Sequence, residues 1–344
     1  MEYRTLGRSG TSVSTYALGT MTFGAESDEA TAHAQLDAYL EAGGNLVDTA
    51  DVYAGTESES IIGRWLSDRG TDIRDRVVLA TKGRFPTADH PNGLGLSRTH
   101  LSQALDASLR RLQTDRIDLY QVHAWDALTP LEETVRFFDD AVAAGKVGYW
   151  GLSNFTGWQL TKTVDLATFR GWPVPVTLQP QYNLLTRGIE AEIVPAVQDA
   201  GMGLLPWSPL AGGWLTGKYQ RDQAPTGATR LGENPERGME AYAGRNAAER
   251  TWQVIDAVTA VADELGASPA QVSLSWLAAR PAVTSVILGA RTLEQLQQCL
   301  GAADVVLSPE QQERLTGVSA PVWDDYPYGE PGVAQRHRKI TGGR

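Results

Sequence analysis

Eight times along the chain a run of apolar residues of strand length ends in polar or turn-forming residues and gives way to a helical pattern. The runs are Ala17–Thr20, Asn45–Ala50, Val77–Lys82, Ile117–His123, Val147–Asn154, Val176–Asn183, Gly203–Pro209 and Ser285–Ala290. The helical patterns cover 28–42, 59–67, 98–112, 131–144, 157–168, 189–200, 246–265 with 269–279, and 293–301, and a last one lies near 308–316. Helix-start residues (Ser27, Asp28) and helix-stop glycines (Gly145, Gly201) flank several of them. Strict alternation of eight β/α units predicts an α/β fold of the parallel (β/α)8 TIM-barrel type rather than a doubly wound sheet. The unbroken apolar character of VVLAT and IDLYQV fits strands covered on both faces.

The lead-in Tyr3–Ser14, with turn residues at Gly7–Gly10, predicts a β-hairpin that closes the barrel floor. Two stretches break the rhythm, 210–245 and 319–344, and long loops of this kind are usually lids or flexible pieces. No linker-like change of composition interrupts 1–320, so the expectation is one domain over 1–344, with 319–344 a flexible tail or lid.

Composition excludes several classes of function. With 42% hydrophobic and 21% charged residues, the 344-residue chain can bury a large core without disulfides, and its one cysteine, Cys299, cannot form an internal one. The five histidines show no metal-ligand spacing, so no metal is expected. A reducing, cytoplasmic setting fits this pattern. The N-terminal MEYRTLGRSG has no secretory signal pattern, and no apolar run approaches membrane-spanning length. A net charge of -11 argues against a nucleic-acid surface, and the one basic run, Arg336-His337-Arg338-Lys339, reads as a solvated tail.

In a parallel barrel the chemistry sits at the C-terminal ends of the strands. Four polar residues fall there: Asp48 after the second run, Tyr53 five residues later, Lys82 at the end of the third and His123 at the end of the fourth. A phenol titrates near 10 in water, so it needs a cation beside it to serve as a proton donor near neutrality. Lys82 can supply that charge, Asp48 can orient the ammonium, and a neutral His123 can polarise a carbonyl oxygen. The set protonates a developing oxyanion and holds no nucleophile for acyl transfer. Its electrons must therefore come from a cofactor.

The segments DTADVY, LATKG, DLYQVH, YWGLSNF, QPQYN, PWSPLAGGWLTGKY and ILGARTLEQL occur in an order that resembles the aldo-keto reductases, especially long-looped bacterial members related to potassium-channel beta subunits. The resemblance covers residues 3–318 and implies a barrel that reduces aldehydes and ketones with NADPH, with Asp48, Tyr53, Lys82 and His123 as the catalytic set. It further implies that Ser153, Asn154 and Gln179 hold the nicotinamide carboxamide and that Trp207 stacks on the ring. Ser208, Leu210, Gly212 and Lys218 match the pyrophosphate segment. Gly289 and Arg291 open a helix suited to an anion, and Arg291 is expected on the 2′-phosphate. Gln295 matches a further adenosine-phosphate contact. Cys299 stands where the family usually has an adenine-contacting Asn, which leaves that contact to Gln298. No GxGxxG follows a strand, which removes the Rossmann dehydrogenases.

Phe23, Tyr53, Trp125, Trp214 and the tail VWDDYPYG give an aromatic cup for a small-molecule carbonyl substrate, with Phe23 and Trp125 the substrate-contact candidates and Trp125 the leading one. The principal reading is an NADPH-dependent carbonyl reductase. Its alternative is a nicotinamide-binding sensor or regulatory subunit with little turnover, and a third is a barrel without cofactor. No nucleic-acid or membrane partner is expected, and the sequence leaves the oligomeric state open.

Overall fold

The computed structural model describes residues 1–227, 229–236, 240–323, 326–329 and 332–333; the basic run at 336–339 lies outside the described residues. Strands β1 (Tyr3–Thr5) and β2 (Ser12–Ser14) pair antiparallel, which makes the expected hairpin. Its turn lies tight against the floor. Gly7 has φ of 55°, and a Cβ there would stand 2.0 Å from the Val176 carbonyl oxygen, so only glycine fits.

The remaining strands are β3 (Tyr16–Gly19), β4 (Leu46–Asp48), β5 (Val78–Gly83), β6 (Ile117–Val122), β7 (Val147–Ser153), β8 (Thr177–Gln179), β9 (Gly203–Leu204) and β10 (Val286–Gly289). They form one parallel sheet in the order β10-β3-β4-β5-β6-β7-β8-β9. Bonds from the Thr284 amide to the Leu204 carbonyl (2.9 Å) and from the Ile287 amide to the Pro206 carbonyl (3.0 Å) close it into a (β/α)8 barrel.

The helices are α1 (Glu29–Glu41), α2 (Glu57–Arg69), α3 (Thr71–Arg76), α4 (Arg98–Arg111), α5 (Leu131–Ala143), α6 (Gly157–Arg170) and α7 (Ile193–Asp199), followed by α8 (Arg230–Glu233), α9 (Tyr242–Ala247), α10 (Glu249–Leu265), α11 (Pro269–Ala278), α12 (Leu293–Leu300) and α13 (Pro309–Val318). Helix α5 shows why they dock as they do. Its buried positions Val135, Phe138 and Ala141 recur at helical spacing, and Phe138 stacks on Trp150 of β7 with centroids 4.5 Å apart. Each such aromatic contributes on the order of 2–3 kcal/mol by burial. Capping boxes at Thr156, Ser268 and Ser308 fix three helix starts.

The structure departs from the sequence reading in places. Strands β8 and β9 are shorter than expected because Pro180, Pro206 and Pro209 lack the amide a ladder needs. Helix α3 was not anticipated, since TDIRDR has no apolar stripe. The 210–245 stretch contains a 3-10 turn over Ala211–Thr216 as well as α8 and α9. Trp214, expected at the mouth, is fully buried: it stacks on Tyr242 at 5.4 Å and meets Trp252 edge-on, pinning this loop to α10.

Inside the barrel, Ala17, Leu46, Ala80 and Leu119 form an apolar plug with Leu6 and Val13 of the hairpin. Side chains two residues apart share a strand face. One step toward the C-terminal end from this plug, the inward positions become Asp48, Lys82 and Gln121, and the same periodicity reaches His123. The polar site therefore rests directly on the apolar floor.

Candidate active site at the C-terminal mouth

At the centre lies a lysine ammonium sealed from water. Lys82 Nζ donates to Asp48 Oδ2 (2.6 Å), to the Thr49 carbonyl (2.8 Å) and to Tyr53 Oη (3.1 Å), which uses its three N–H donors. Asp48 is held from the other side, where its Oδ1 accepts from Gln121 Nε2 (3.0 Å) and Gln179 Nε2 (2.9 Å). Four strand ends thus converge on one ion pair. Tyr53 reaches it from a tight turn in which Ala54, Gly55 and Thr56 all take positive φ before α2 begins. Its hydroxyl accepts the lysine's hydrogen bond, so its own hydrogen is left to donate elsewhere.

Burial would lower the Lys82 pKa, but Asp48 and Tyr53 outweigh it and hold the ammonium above its ordinary value. For Tyr53 burial raises the phenol and Lys82 opposes it; burial prevails. Contrary to the sequence argument, the cation does not bring this phenol below its ordinary value. It stays protonated at neutral pH and can give up a proton only as charge builds on an oxygen beside it. The His123 imidazole is pushed down to about 2 by burial, Lys82 and Arg84, so it is neutral throughout the physiological range.

Around this centre stands a partly exposed rim. Phe85 meets the His123 ring edge-on at 4.6 Å, and Tyr53 meets it at 5.9 Å. Trp125 is partly exposed and packs edge-on against Phe155 (5.3 Å) and Trp158 (5.4 Å). Phe23 is the exception: it is fully buried in the core and offers no surface to a substrate. Gln121, Arg84 and Phe85 escaped the sequence reading. The first could have been found, because Leu119, Gln121 and His123 alternate along one face.

The candidate cofactor residues lie at the ends of β7, β8 and β10, on the loops after β7, β9 and β10, and on α12. Ser153 Oγ donates to the Gln179 carbonyl (2.8 Å), Asn154 Nδ2 donates to the His123 carbonyl (2.9 Å), and Trp207 Nε1 donates to Asn154 Oδ1 (3.1 Å). Trp207 keeps part of its surface open. Ser208, Ala211, Gly212 and Gly213 all have positive φ, so the loop beside Leu210 turns sharply. Lys218 lies nearby, its ammonium 5.2 Å from the Tyr219 ring centre.

At the far end Gly289 is exposed and has nothing within 4 Å of where a Cβ would be. Arg291 is gripped in bidentate fashion by Glu233 (3.0 and 2.9 Å), the geometry a phosphate would take on a guanidinium. Its amide donates to Gln295 Oε1 (3.0 Å). Gln295 and Gln298 face outward on α12, whereas Cys299 is buried, its thiol pushed up to about 11. The cysteine therefore sits in the core, facing away from those glutamines. Open glycine backbone, a guanidinium already held in a bidentate pairing and a partly exposed indole together fit a dinucleotide.

Behind the barrel wall a second polar cluster backs the site. Glu59 is fully buried and accepts from Thr81 Oγ1 (2.6 Å) and Arg111 Nε (2.7 Å). The Asp51 carboxylate and the Tyr120 hydroxyl, also buried, have no well-formed hydrogen-bond partner. Both adjoin Gly83, where a Cβ would meet Tyr120 Oη at 2.3 Å and Asp51 Oδ2 at 3.6 Å.

A barrel whose strand ends gather Asp, Tyr, Lys and His around one buried ammonium defines a class of proton-donating site. The aldo/keto reductase family model matches residues 16–320, and the chain belongs to that family. It is 40% identical over 326 residues to the uncharacterized oxidoreductase YrpG of Bacillus subtilis, covering 92% of this chain and 96% of that protein. It is 38% identical over 322 residues to a probable voltage-gated potassium channel subunit beta of Oryza sativa, covering 92% and 96%. It is also 33% identical over 327 residues to the aryl-alcohol dehydrogenase [NADP(+)] of Phanerodontia chrysosporium, covering 91% and 80%. Among the described residues no helix is long and apolar enough to cross a membrane, and no His, Cys, Asp and Glu group could hold a metal ion.

Asp51 gives this region a measurable signature. Burial first, and Glu59 second, raise its carboxyl from 3.8 to about 7. Between those values the folded protein keeps a proton that the unfolded chain releases. The resulting stabilisation is complete below the lower value and is lost as pH rises through the upper one. Asp51→Asn removes this titration, so its Tm should exceed the parent's by roughly 2–4 °C or more at pH 8, while the gap narrows as the pH falls and closes only near the unfolded value of 3.8. Parallel Tm profiles for the two proteins would show that Asp51 is already ionised in the fold.

Proposed function

We propose that the protein is an NADPH-dependent oxidoreductase that reduces small aldehydes and ketones to alcohols, acting as a single barrel domain in the cytoplasm. The observation that carries this reading is the hydrogen bond from Lys82 Nζ to Tyr53 Oη at 3.1 Å, which leaves the phenolic hydrogen for a substrate oxygen. When bound, the reduced nicotinamide supplies hydride to the carbonyl carbon. Tyr53 gives its proton to the oxygen as negative charge develops there, and the ammonium of Lys82 stabilises the phenolate left behind. His123, neutral, donates an N–H to the same oxygen. Asp48, held by Gln121 and Gln179, keeps Lys82 charged and aimed.

In this reading Ser153, Asn154 and Gln179 hold the carboxamide and Trp207 covers one face of the ring. Ser208, Leu210, Gly212 and Lys218 follow the pyrophosphate, while Gly289, Arg291, Gln295 and Gln298 hold the adenosine end. Glu233 must release Arg291 for a 2′-phosphate to enter, which makes the loop carrying α8 part of the binding event. Relatives named as channel subunits favour a second reading, a nicotinamide sensor with little turnover. The two differ in a single outcome: a sensor binds NADPH without consuming it.

NADPH consumption with a panel of aromatic aldehydes, dicarbonyls and aldoses tests the proposal. Tyr53→Phe should lower kcat by about 10²–10⁴ while NADPH binding persists, and a variant that keeps most of its turnover would remove Tyr53 from the chemistry. Arg291→Ala should raise the Kd for NADPH by about 10- to 100-fold, and that for NADH far less, because only NADPH carries the 2′-phosphate. Equal losses for both nucleotides would move the phosphate contact to another residue.

A further inference from the structure

Arg84 stands directly past β5, two residues beyond Lys82, with φ of 153°, a backbone conformation that side-chain-bearing residues rarely adopt. Its guanidinium lies 4.9 Å from the centre of the Phe85 ring, which itself leans on His123. Nη2 reaches the Trp125 carbonyl only at 3.4 Å, and Nε is enclosed without a partner. Among the described residues Nη1 makes no hydrogen bond and the side chain no ion pair.

The chain carries a net charge of -11, and the charge of Arg84 is felt by Asp126, yet no carboxylate among the described residues comes within ion-pairing distance of it. Arg64, Arg69, Arg74, Arg111 and Arg291 all meet carboxylates. The acid nearest in sequence to the Trp125 carbonyl, Asp126, is already committed to the Leu96 and Leu128 amides and the Thr129 hydroxyl. An enclosed guanidinium N–H without a partner is costly, and the partly exposed fork beside it is free to take a planar anion. The nucleotide candidates lie at the ends of β7, β8 and β10, on the loops after β7, β9 and β10 and on α12, whereas Arg84 lies on the loop after β5.

We infer that Arg84 is an anion-recognising residue of the substrate mouth and that the preferred carbonyl substrates carry a carboxylate on a flat body. The inference rests on the reading of the site as a carbonyl reductase. Phe85, Trp125 and Tyr53 supply aromatic surface for the flat part, and the fork of Arg84 matches the two carboxylate oxygens. The field of Arg84 also reaches His123, so the reacting oxygen and the carboxylate lie within one region of positive potential.

The test compares 4-formylbenzoate with 4-formylbenzamide, which differ in charge and hardly in shape, and adds fluorescence titrations of the NADP+-loaded protein with benzoate and benzamide. The parent should favour the carboxylate in kcat/KM. Arg84→Met should reduce the carboxylate-to-amide ratio about 10- to 100-fold and weaken benzoate binding in step, and Arg84→Lys should retain part of the preference. An unchanged ratio in Arg84→Met, or equal losses for both substrates, overturns the inference. If the parent turns over neither aldehyde, the reductase reading fails, while the benzoate titration still decides the anion site: benzoate binding no stronger than benzamide overturns it.

Discussion

An ammonium that water cannot reach is the constraint on which the rest of the mouth depends. Removing such an ion from water costs several kcal/mol, and a charge pair offsets this only when its geometry is good and the remaining donors are satisfied. Lys82 meets that condition through Asp48, the Thr49 carbonyl and Tyr53. The requirement reaches outward through Asp48 to Gln121 on β6 and Gln179 on β8. Parallel register then matters, since β4 and β5 must pair with Asp48 opposite Ala80 for the lysine one step further on to meet the carboxylate. The apolar plug and the hairpin floor beneath hold those strands at this height.

The same wall has two polar sides with opposite settings. Inside, every donor of Lys82 is paired and Tyr53 keeps its proton. Outside, the Asp51 carboxylate and the Tyr120 hydroxyl are buried without a well-formed hydrogen-bond partner beside the well-paired Glu59. Gly83 separates the two, because any side chain there would strike Tyr120. Asp51 is thus the acid whose charge is most disfavoured, by burial first and by Glu59 second.

Much of this was legible in the sequence because the barrel obeys simple periods. Strand ends at Asp48, Lys82 and His123 could be read from where apolar runs stop, and the order of the β/α units gave the topology. Ladder lengths at β8 and β9 were misjudged because apolarity continues past the prolines that end the pairing. Phe23 and Trp214 were read as mouth residues because nothing in a sequence tells an aromatic in a loop from one folded back under it. The unpaired state of Arg84 and the grip of Glu233 on Arg291 depend on distant loops meeting in space, which no local pattern encodes.

The central claim is that Asp48 acts through Lys82, and a double-mutant cycle on kcat/KM addresses it most directly. Asp48→Asn, Lys82→Met and the double variant would be compared after circular dichroism shows that each is folded. If Asp48 serves only to hold and charge the ammonium, the double variant should be no slower than Lys82→Met alone. Losses that multiply in the double variant would mean that Asp48 and Lys82 act independently, and would contradict the account.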